Sequence, residues 1–248
     1  MLLLYGITKV SKTWKVVENS ACGYIRMYYI QNGGGVYRSG GEYRELVPGK
    51  VYCFPSKTPY QITQHFLEGL ECFYAHMDIA PFVISSLREM DLSEHEFLKK
   101  IIEAFILLAK EEKESIRGGI PQQMAAIVTE YLKKEGHLES IDPKLESSVL
   151  YMQENLSKPL KIEKLSSMCG YHPQYFIRLF KACMGVTPHR FLVNYRMKTA
   201  MSMLLAGHSV SETAEAVGYG ESKNFSSSFK TFYGICPSEA KKYLRMIL

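Results

Sequence analysis

About a hundred residues at the end of this 248-residue chain contain an internal repeat, which constrains the fold more than any other feature of the sequence. Cys169-Gly170-Tyr171 matches Val217-Gly218-Tyr219 at an offset of 48 residues. At an offset of 49, Phe176, Phe180-Lys181, Gly185 and Pro188 match Phe225, Phe229-Lys230, Gly234 and Pro237. Agreement at this many ordered positions indicates a duplicated structural unit.

Each copy has the residue types of two helices joined by a glycine turn. In the first copy, Gly170 suits the left-handed conformation that ends a helix, and Pro173 suits the first turn of the next helix. The helical spacing of apolar residues predicts a buried stripe on each second helix. These stripes are Phe176, Leu179, Phe180 and Cys183 in the first copy, and Phe225, Phe229 and Phe232 in the second. We therefore predict two helix-turn-helix units.

The opposite face of each second helix is largely polar and basic, as a helix that enters a DNA major groove requires. These outward residues are Gln174, Ile177, Arg178 and Lys181, then Lys223, Asn224, Ser227 and Lys230. Thr187-Pro188 starts a connecting helix of about 18 residues, which spans roughly 27 Å. Two such units can meet successive major-groove turns, about 34 Å apart. For any single outward residue, the alternative is an ordinary solvated face.

The charge distribution separates the two halves of the chain. Residues 1–143 carry 16 Lys and Arg against 18 Asp and Glu, whereas residues 144–248 carry 14 against 7. A basic half is attracted to a polyanion, although a solvated basic surface explains the same count.

Residues 145–243 resemble the DNA-binding domain of the AraC/XylS regulators. The resemblance follows the repeat and adds Leu165, Phe191-Leu192, Arg196, Ala200, Leu204-Leu205 and Ala214. It implies binding to double-stranded promoter DNA and contact with RNA polymerase. It also implies base contacts from His172, Gln174, Ile177 and Arg178, and from Ser222, Lys223, Asn224 and Ser227.

The chain departs from the family pattern at three places. The family usually has Ser at the position of His172, Arg at that of Ser227, and Tyr-Arg at that of Ala240-Lys241. We therefore expect the second unit to read bases more weakly than the first.

The first half has a different pattern. From Cys22 to Ile79, short aromatic and β-branched runs are cut by turn residues, which predicts a small antiparallel sandwich or barrel. After Ser93, helical spacing predicts two helices separated at Gly118-Gly119. Asp142-Pro143 sets an N-cap before a first-turn proline. We predict an α+β chain: a cupin-like barrel at 1–92, a helical dimerisation segment and linker at 93–141, and an all-α double helix-turn-helix domain at 142–248.

Residues 23–81 resemble the cupin-like sensor domain that is often fused to DNA-binding domains of this type. The match includes Gly33-Gly34-Gly35, Leu46-Val47-Pro48-Gly49 and Phe54-Pro55. The resemblance implies an effector pocket, with a carbohydrate favoured, lined by Trp14, Gln31, Tyr60, Ile62, Tyr74 and His76. It also implies a homodimer through the helical segment. The alternative to a pocket is that the tyrosines only pack within the barrel. The alternative to a dimer is that the helices only cover the barrel of their own chain.

Several other classes of protein fit the sequence poorly. It lacks the His-x-His pair of metal-dependent cupins, so we expect no metal or cofactor. Paired carboxylates and activated nucleophiles are missing, which argues against an enzyme on a metal-free cupin barrel. A DNA-repair alkyl-acceptor protein can have the same double helix-turn-helix domain, but neither Cys53 nor Cys72 lies in an acceptor motif. The six scattered cysteines, which include Cys22, predict reduced thiols. Without a signal or apolar span, we expect a cytoplasmic protein without membrane contact.

Overall fold

The computed structural model describes residues 1–10, 14–18, 23–65, 69–111 and 119–240; Cys22, Gly118 and Lys241 lie outside these ranges. The chain divides into two compact units, residues 1–140 and residues 141–247. The first unit contains the strands and two helices, and the second is helical. The predicted α+β class is confirmed.

Two antiparallel sheets form the body of the first unit. The larger sheet has the order β1-β8-β3-β6-β9 and the smaller has the order β2-β7-β4-β5. Within the described ranges the strand ladders stay in two sheets and do not close into a continuous barrel. The strands are β1 (Leu2–Lys9), β2 (Lys15–Glu18), β3 (Ile25–Gly33), β4 (Gly35–Ser39), β5 (Glu42–Leu46), β6 (Lys50–Cys53), β7 (Tyr60–Gln64), β8 (Leu70–Met77) and β9 (Arg88–Asp91).

Strand alternation divides the interior of this unit into two cores. On β3, Ile25 and Met27 face a core shared with two helices, α1 (Glu96–Lys110) and α2 (Gly119–Lys134). Tyr28 and Ile30 face the space between the two sheets, which is lined mostly by aromatic residues. The helices therefore cover the outer face of the larger sheet.

Helix α2 also covers the outer edge of that sheet. The side-chain amide of Gln122 donates to the Leu2 carbonyl at 2.8 Å and accepts from the Leu2 amide at 2.9 Å. Because Leu2 lies on the edge strand β1, this side chain takes the place that the backbone of another strand would occupy.

The segment after α2 is fixed to the first unit. Glu139 forms a two-way backbone bridge with Val83, at 2.9 and 3.0 Å. Its carboxylate lies 3.0 Å from Arg88 Nη2 and 3.5 Å from Lys57 Nζ. The second unit then begins with the predicted N-cap, which is confirmed: the Asp142 side chain accepts from the Lys144 amide at 2.8 Å.

The second unit consists of six α-helices within the described residues. They are α3 (Pro143–Glu154), α4 (Ile162–Met168), α5 (Pro173–Met184), α6 (Pro188–Leu205), α7 (Val210–Ala216) and α8 (Ser222–Tyr233), followed by a 3-10 turn at Pro237–Glu239. The two turn glycines have the predicted left-handed conformation, with φ of +70° at Gly170 and +79° at Gly218. In the described part of the chain, no helix has both the length and the apolar character needed to span a bilayer.

Candidate DNA-binding surface and sensor interior

Helix α5 presents the outward face that the repeat predicts. Phe176 and Phe180 are fully buried, with ring centroids 5.7 Å apart. Their burial leaves the opposite side exposed, with His172 at the N-cap position followed by Gln174, Arg178 and Lys181. Ile177 is half-buried, so it offers less surface than its exposed neighbours.

An exposed aromatic residue accompanies the arginine on this face. Tyr175 is 46% exposed, and the guanidinium carbon of Arg178 lies 5.9 Å from its ring centroid. Such a cation–π contact orients the planar fork that can bind a guanine edge. Tyr175 was not among the predicted site residues, although its position between Gln174 and Phe176 places it at the edge of the polar face.

Helix α8 repeats this arrangement with smaller and fewer charged groups. Phe225 and Phe229 are fully buried, with centroids 5.6 Å apart. The five predicted residues of its outward face are all exposed: Ser222, Lys223, Asn224, Ser227 and Lys230. Both second helices therefore direct a phenylalanine pair inward and polar side chains outward.

The predicted inward position of Phe232 is wrong. Phe232 is 36% exposed, and Tyr233 packs in its place, with its ring 4.8 Å from that of Phe229. The Tyr233 hydroxyl donates to the Met197 carbonyl at 3.3 Å. Positions i+7 and i+8 both lie near one helical face, and the residue that also satisfies a buried carbonyl takes the inner one.

A largely buried arginine, with 11% of its side chain exposed, lies between the two sheets of the first unit. Arg26 Nη1 donates to the Tyr60 hydroxyl at 2.7 Å, and Nη2 donates to the Tyr24 hydroxyl at 2.8 Å. Arg26 also forms an ion pair with Glu18 on β2. Burial lowers the pKa of Arg26, but the phenol oxygens and Glu18 raise it to a net value above the usual one. Arg26 stays charged and links the larger sheet to β2 and β7.

Tyr74 and His76, two of the predicted effector residues, lie beside this arginine on β8. The His76 ring stacks on that of Tyr28 at 6.3 Å and lies 5.5 Å from that of Tyr74. The Tyr74 hydroxyl and His76 Nε2 are covered and have no hydrogen-bond partner among the described residues. Burial, then the charge of Arg26, lower the pKa of His76 well below its usual value. The site thus holds a neutral imidazole.

The other predicted effector residues divide into two groups. Tyr60 and Ile62 are buried in the same core, and Trp14 packs at its margin with its ring 6.4 Å from that of Tyr28. Gln31 falls at the bulge between Ile30 and Asn32, and its Oε1 is buried without a hydrogen-bond partner among the described residues. The structure therefore brings Tyr60, Ile62, Tyr74 and His76 together with Trp14 beside them, and the role of Gln31 stays a prediction.

Sequence reasoning missed Arg26, Tyr24 and Glu18. The available signal was the alternation of β3, because Arg26 shares a strand face with Tyr24 and Tyr28. A surface cleft of about 470 Å³ lies next to strands β2 and β7. Its walls include Glu18, Tyr60 and the hairpin between β4 and β5, and Glu18 and Tyr60 are both partners of Arg26.

Comparison with known proteins relates both units to transcription regulators. A family model described as a helix-turn-helix domain matches residues 165–243. The chain is 25% identical to the probable transcriptional regulator LumQ of Photobacterium leiognathi, over 81% of this chain and 82% of that protein. It is 24% identical to the uncharacterized regulator YisR of Bacillus subtilis, over 96% and 89%. Residues 165–243 therefore form a helix-turn-helix domain, and the chain is similar over most of its length to transcriptional regulators, in agreement with the resemblance to the AraC/XylS family.

Solved structures of ToxT of Vibrio cholerae support the fold. ToxT of Vibrio cholerae has a TM-score of 0.63 at 12% identity, over 98% of this chain and 97% of that one. A second structure, described as wild-type ToxT bound to an unsaturated fatty acid, has a TM-score of 0.61 at 12% identity over 95% and 93%. This likeness supports the two-domain arrangement of strands followed by paired helix-turn-helix units.

The Cys53 and Cys72 thiols lack the low pKa that an alkyl-acceptor protein with the same type of DNA-binding domain would need. Burial raises the pKa of the Cys53 and Cys72 thiols to about 12. A nucleophilic cysteine requires the opposite shift, towards the thiolate. The five described cysteines are free, and three of them are buried.

Proposed function

We propose that this AraC/XylS regulator binds promoter DNA with α5 and α8 together and responds to a small molecule held between its two sheets. The observation that supports DNA recognition is the duplicated face: in both copies the phenylalanine pair is buried while the polar residues beside it are exposed. We further propose that the protein acts in the cytoplasm, contacts RNA polymerase and has no catalytic role.

Salt dependence tests the DNA-binding function. Lysine and arginine side chains that neutralise phosphates release counterions, so affinity falls steeply as salt rises. We expect the full chain to lose about 10³-fold or more in affinity for a selected promoter between 50 and 200 mM salt if it makes six or more phosphate contacts. Fluorescence anisotropy with labelled duplexes measures this. A chain that binds no duplex at low salt contradicts the proposal.

Base reading is tested separately at Arg178. A bidentate arginine–guanine contact discriminates by about 1–3 kcal/mol, so Arg178→Ala should weaken specific binding roughly 5- to 100-fold and relax preference at one position. Lys223→Ala should weaken all sequences more evenly and lower the salt slope by about one. The matched control is Arg44→Ala, which removes an exposed positive charge from β5 in the first unit. Arg178→Ala with unaltered sequence preference rejects this assignment.

The sensor interior supports a polar effector, with a carbohydrate as the proposed class. Sugars stack their apolar faces on aromatic rings and use hydroxyls as hydrogen-bond donors and acceptors. The unpartnered Tyr74 hydroxyl and His76 Nε2, beside the rings of Tyr28 and Tyr60, offer both kinds of contact.

A thermal-shift screen tests this placement. A sugar that binds should raise the melting temperature of the wild-type chain, because a ligand of the native state stabilises it. Tyr74→Ala and His76→Ala should abolish the increase, whereas Tyr151→Ala, on α3 of the second unit, should retain it. Unsaturated fatty acids form the second arm of the screen, since ToxT has been solved with one bound. Stabilisation by a fatty acid alone contradicts the carbohydrate class.

The helices of the first unit support a homodimer. Four apolar residues of α1 and α2 are strongly exposed: Phe97 at 53%, Leu107 at 63%, Ile120 at 52% and Ile127 at 43%. Apolar surface of this kind often marks a protein contact. Sedimentation should show a dimer that Leu107→Glu or Ile127→Glu dissociates, whereas Val17→Glu on β2 should not. A monomeric wild-type chain rejects the dimer.

A further inference from the structure

The glycine turns of the two helix-turn-helix copies have the same backbone conformation but different surroundings. A methyl group added at Gly170 would meet no atom within 4 Å. At Gly218 it would lie 2.6 Å from the Leu156 carbonyl oxygen and 2.9 Å from that of Ser157. Both oxygens belong to the loop between α3 and α4 in the first copy. The second turn therefore packs directly on the first copy, at a distance that only glycine permits.

Arg196, on α6, lies at this contact. Its Nε donates to the Leu156 carbonyl and its Nη2 to the Lys158 carbonyl, both at 2.9 Å. Its guanidinium carbon is 6.0 Å from the ring centroid of Tyr219, the residue after Gly218. A methyl group at Gly218 would come within 2.7 Å of Nη2. The guanidinium thus contacts the loop of the first copy and the turn of the second.

This arginine is not part of the duplication. At offsets of 48 and 49 residues, the positions equivalent to Arg196 hold Ser148 and Ser147. A planar guanidinium donates to two carbonyls in one fixed orientation, whereas a lysine ammonium acts as a point charge on a flexible stem. An arginine at this position is therefore suited to hold the loop of the first copy and the turn of the second copy in one fixed orientation.

Other contacts join each copy to α6 separately. In the first copy, the ring of Phe180 packs 5.6 Å from that of Phe191 on α6. In the second copy, Phe225 and Phe229 share a core with Met197 of α6. Arg196 and Gly218 add a direct contact between the copies, which restricts rotation of the second copy relative to the first.

We propose that Arg196 and Gly218 are positioning residues that fix the two recognition helices relative to each other and thereby set the DNA spacing at which both bind. The inference rests on the proposed binding of both copies to one duplex. DNA turns about 35° per base pair, so two inserted base pairs rotate the second contacted segment by about 70°. A rigid pair of readers loses its second contact on such DNA, because avidity requires that both sites engage simultaneously.

The test uses the full chain and duplexes selected from a random library by the wild-type protein. Footprinting locates the two contacted segments, and one, two, five or ten base pairs are inserted between them. We expect wild-type affinity to fall about tenfold or more with two inserted base pairs. For Arg196→Lys and Gly218→Ala, the same insertion should cost about threefold or less. Affinity for a duplex with a single segment should stay within about twofold of wild type.

Gly170→Ala is the matched control. It imposes the same left-handed strain as Gly218→Ala, at φ of +70° against +79°, but meets open space. It should keep the wild-type dependence on spacing. Circular dichroism and thermal melting check that each variant folds; if Gly218→Ala does not, Arg196→Lys decides, because it keeps the charge and the aliphatic stem.

Each result has a defined meaning. A wild-type chain that selects no DNA contradicts the DNA-binding function, and the positioning role with it. A wild-type chain that binds regardless of spacing, or variants with the wild-type spacing profile, overturn the positioning role and leave the DNA-binding function intact. A uniform loss of affinity on every duplex, including the single segment, also overturns it.

Discussion

The phenylalanine pairs of the second unit and the space between the two sheets of the first unit differ in polarity. In the second unit, the same apolar pair recurs in both copies, as Phe176 with Phe180 and Phe225 with Phe229, and all four rings are fully buried. Between the sheets of the first unit, a charged arginine and two polar atoms without partners lie among aromatic rings. Departures from an apolar core tend to mark functional sites. The contrast between the buried phenylalanine pairs and the space between the sheets supports the proposal that this space is a recognition site.

The largest expected effect of a core substitution is in the second unit. Phe180→Ala and Phe229→Ala should each lower the free energy of unfolding by about 3–5 kcal/mol, since each removes a fully buried ring. Tyr74→Phe in the first unit should change it by less than about 1 kcal/mol or raise it, because the lost hydroxyl has no partner. Urea titration followed by circular dichroism measures the second unit, and fluorescence of Trp14, the single tryptophan, measures the first. Similar losses at Phe180 and Tyr74 would remove the contrast.

A smaller effect is expected at the charged group of the first unit. Arg26→Met should cost about 2–4 kcal/mol, because it leaves Glu18 and the hydroxyls of Tyr24 and Tyr60 without their shared donor. Replacing both partners of the ion pair, as Arg26→Met with Glu18→Leu, should recover part of the loss. Unfolding monitored through Trp14 gives both values. If the single substitution is neutral, Arg26 is dispensable for stability, and the comparison between the two interiors weakens.

The smallest effect concerns pH. Because the folded pKa of His76 lies below the unfolded value of about 6.5, the unfolded chain binds this proton first as pH falls. Stability is therefore fully present above pH 6.5 and declines as the pH falls below it. His76→Gln should remove this decline. Burial also lowers the pKa of His137, so His137→Gln is the parallel control. Identical pH profiles for wild type and His76→Gln would show that His76 does not titrate in this range.

The sequence predicted the second unit better than the first because the repeat is a local signal. Helical spacing and glycine turns placed α5, α8 and their outward faces without knowledge of any distant contact. The prediction for Phe232 was wrong because Phe232 and Tyr233 are adjacent and only one of them can occupy the buried position. The different surroundings of Gly170 and Gly218 were not predictable either, because they depend on a loop about sixty residues from Gly218 in the chain.

In the first unit, strand faces are decided by pairings between distant segments. Alternation along β3 shows that Arg26 and Tyr28 share a face, but which face is internal depends on β8 and β6. The side of the sheet that Gln31 faces depends on the bulge beside it, because a one-residue shift in register moves a side chain to the other face. The ion pair with Glu18 joins strands from different sheets, so no local pattern indicates it.

The two hydrogen bonds between the Gln122 side chain and the Leu2 backbone affect how the protein behaves in concentrated solution. An exposed apolar edge strand is a template for pairing with another chain, and β1 begins with Leu2-Leu3-Leu4. The other edge strands of the sheets, β2, β5 and β9, carry charged residues that resist such pairing. On β1, the side-chain amide of Gln122 forms hydrogen bonds with the backbone amide and carbonyl of Leu2. Loss of Gln122 would leave these groups free to pair with a strand of another molecule and would favour aggregation of folded molecules.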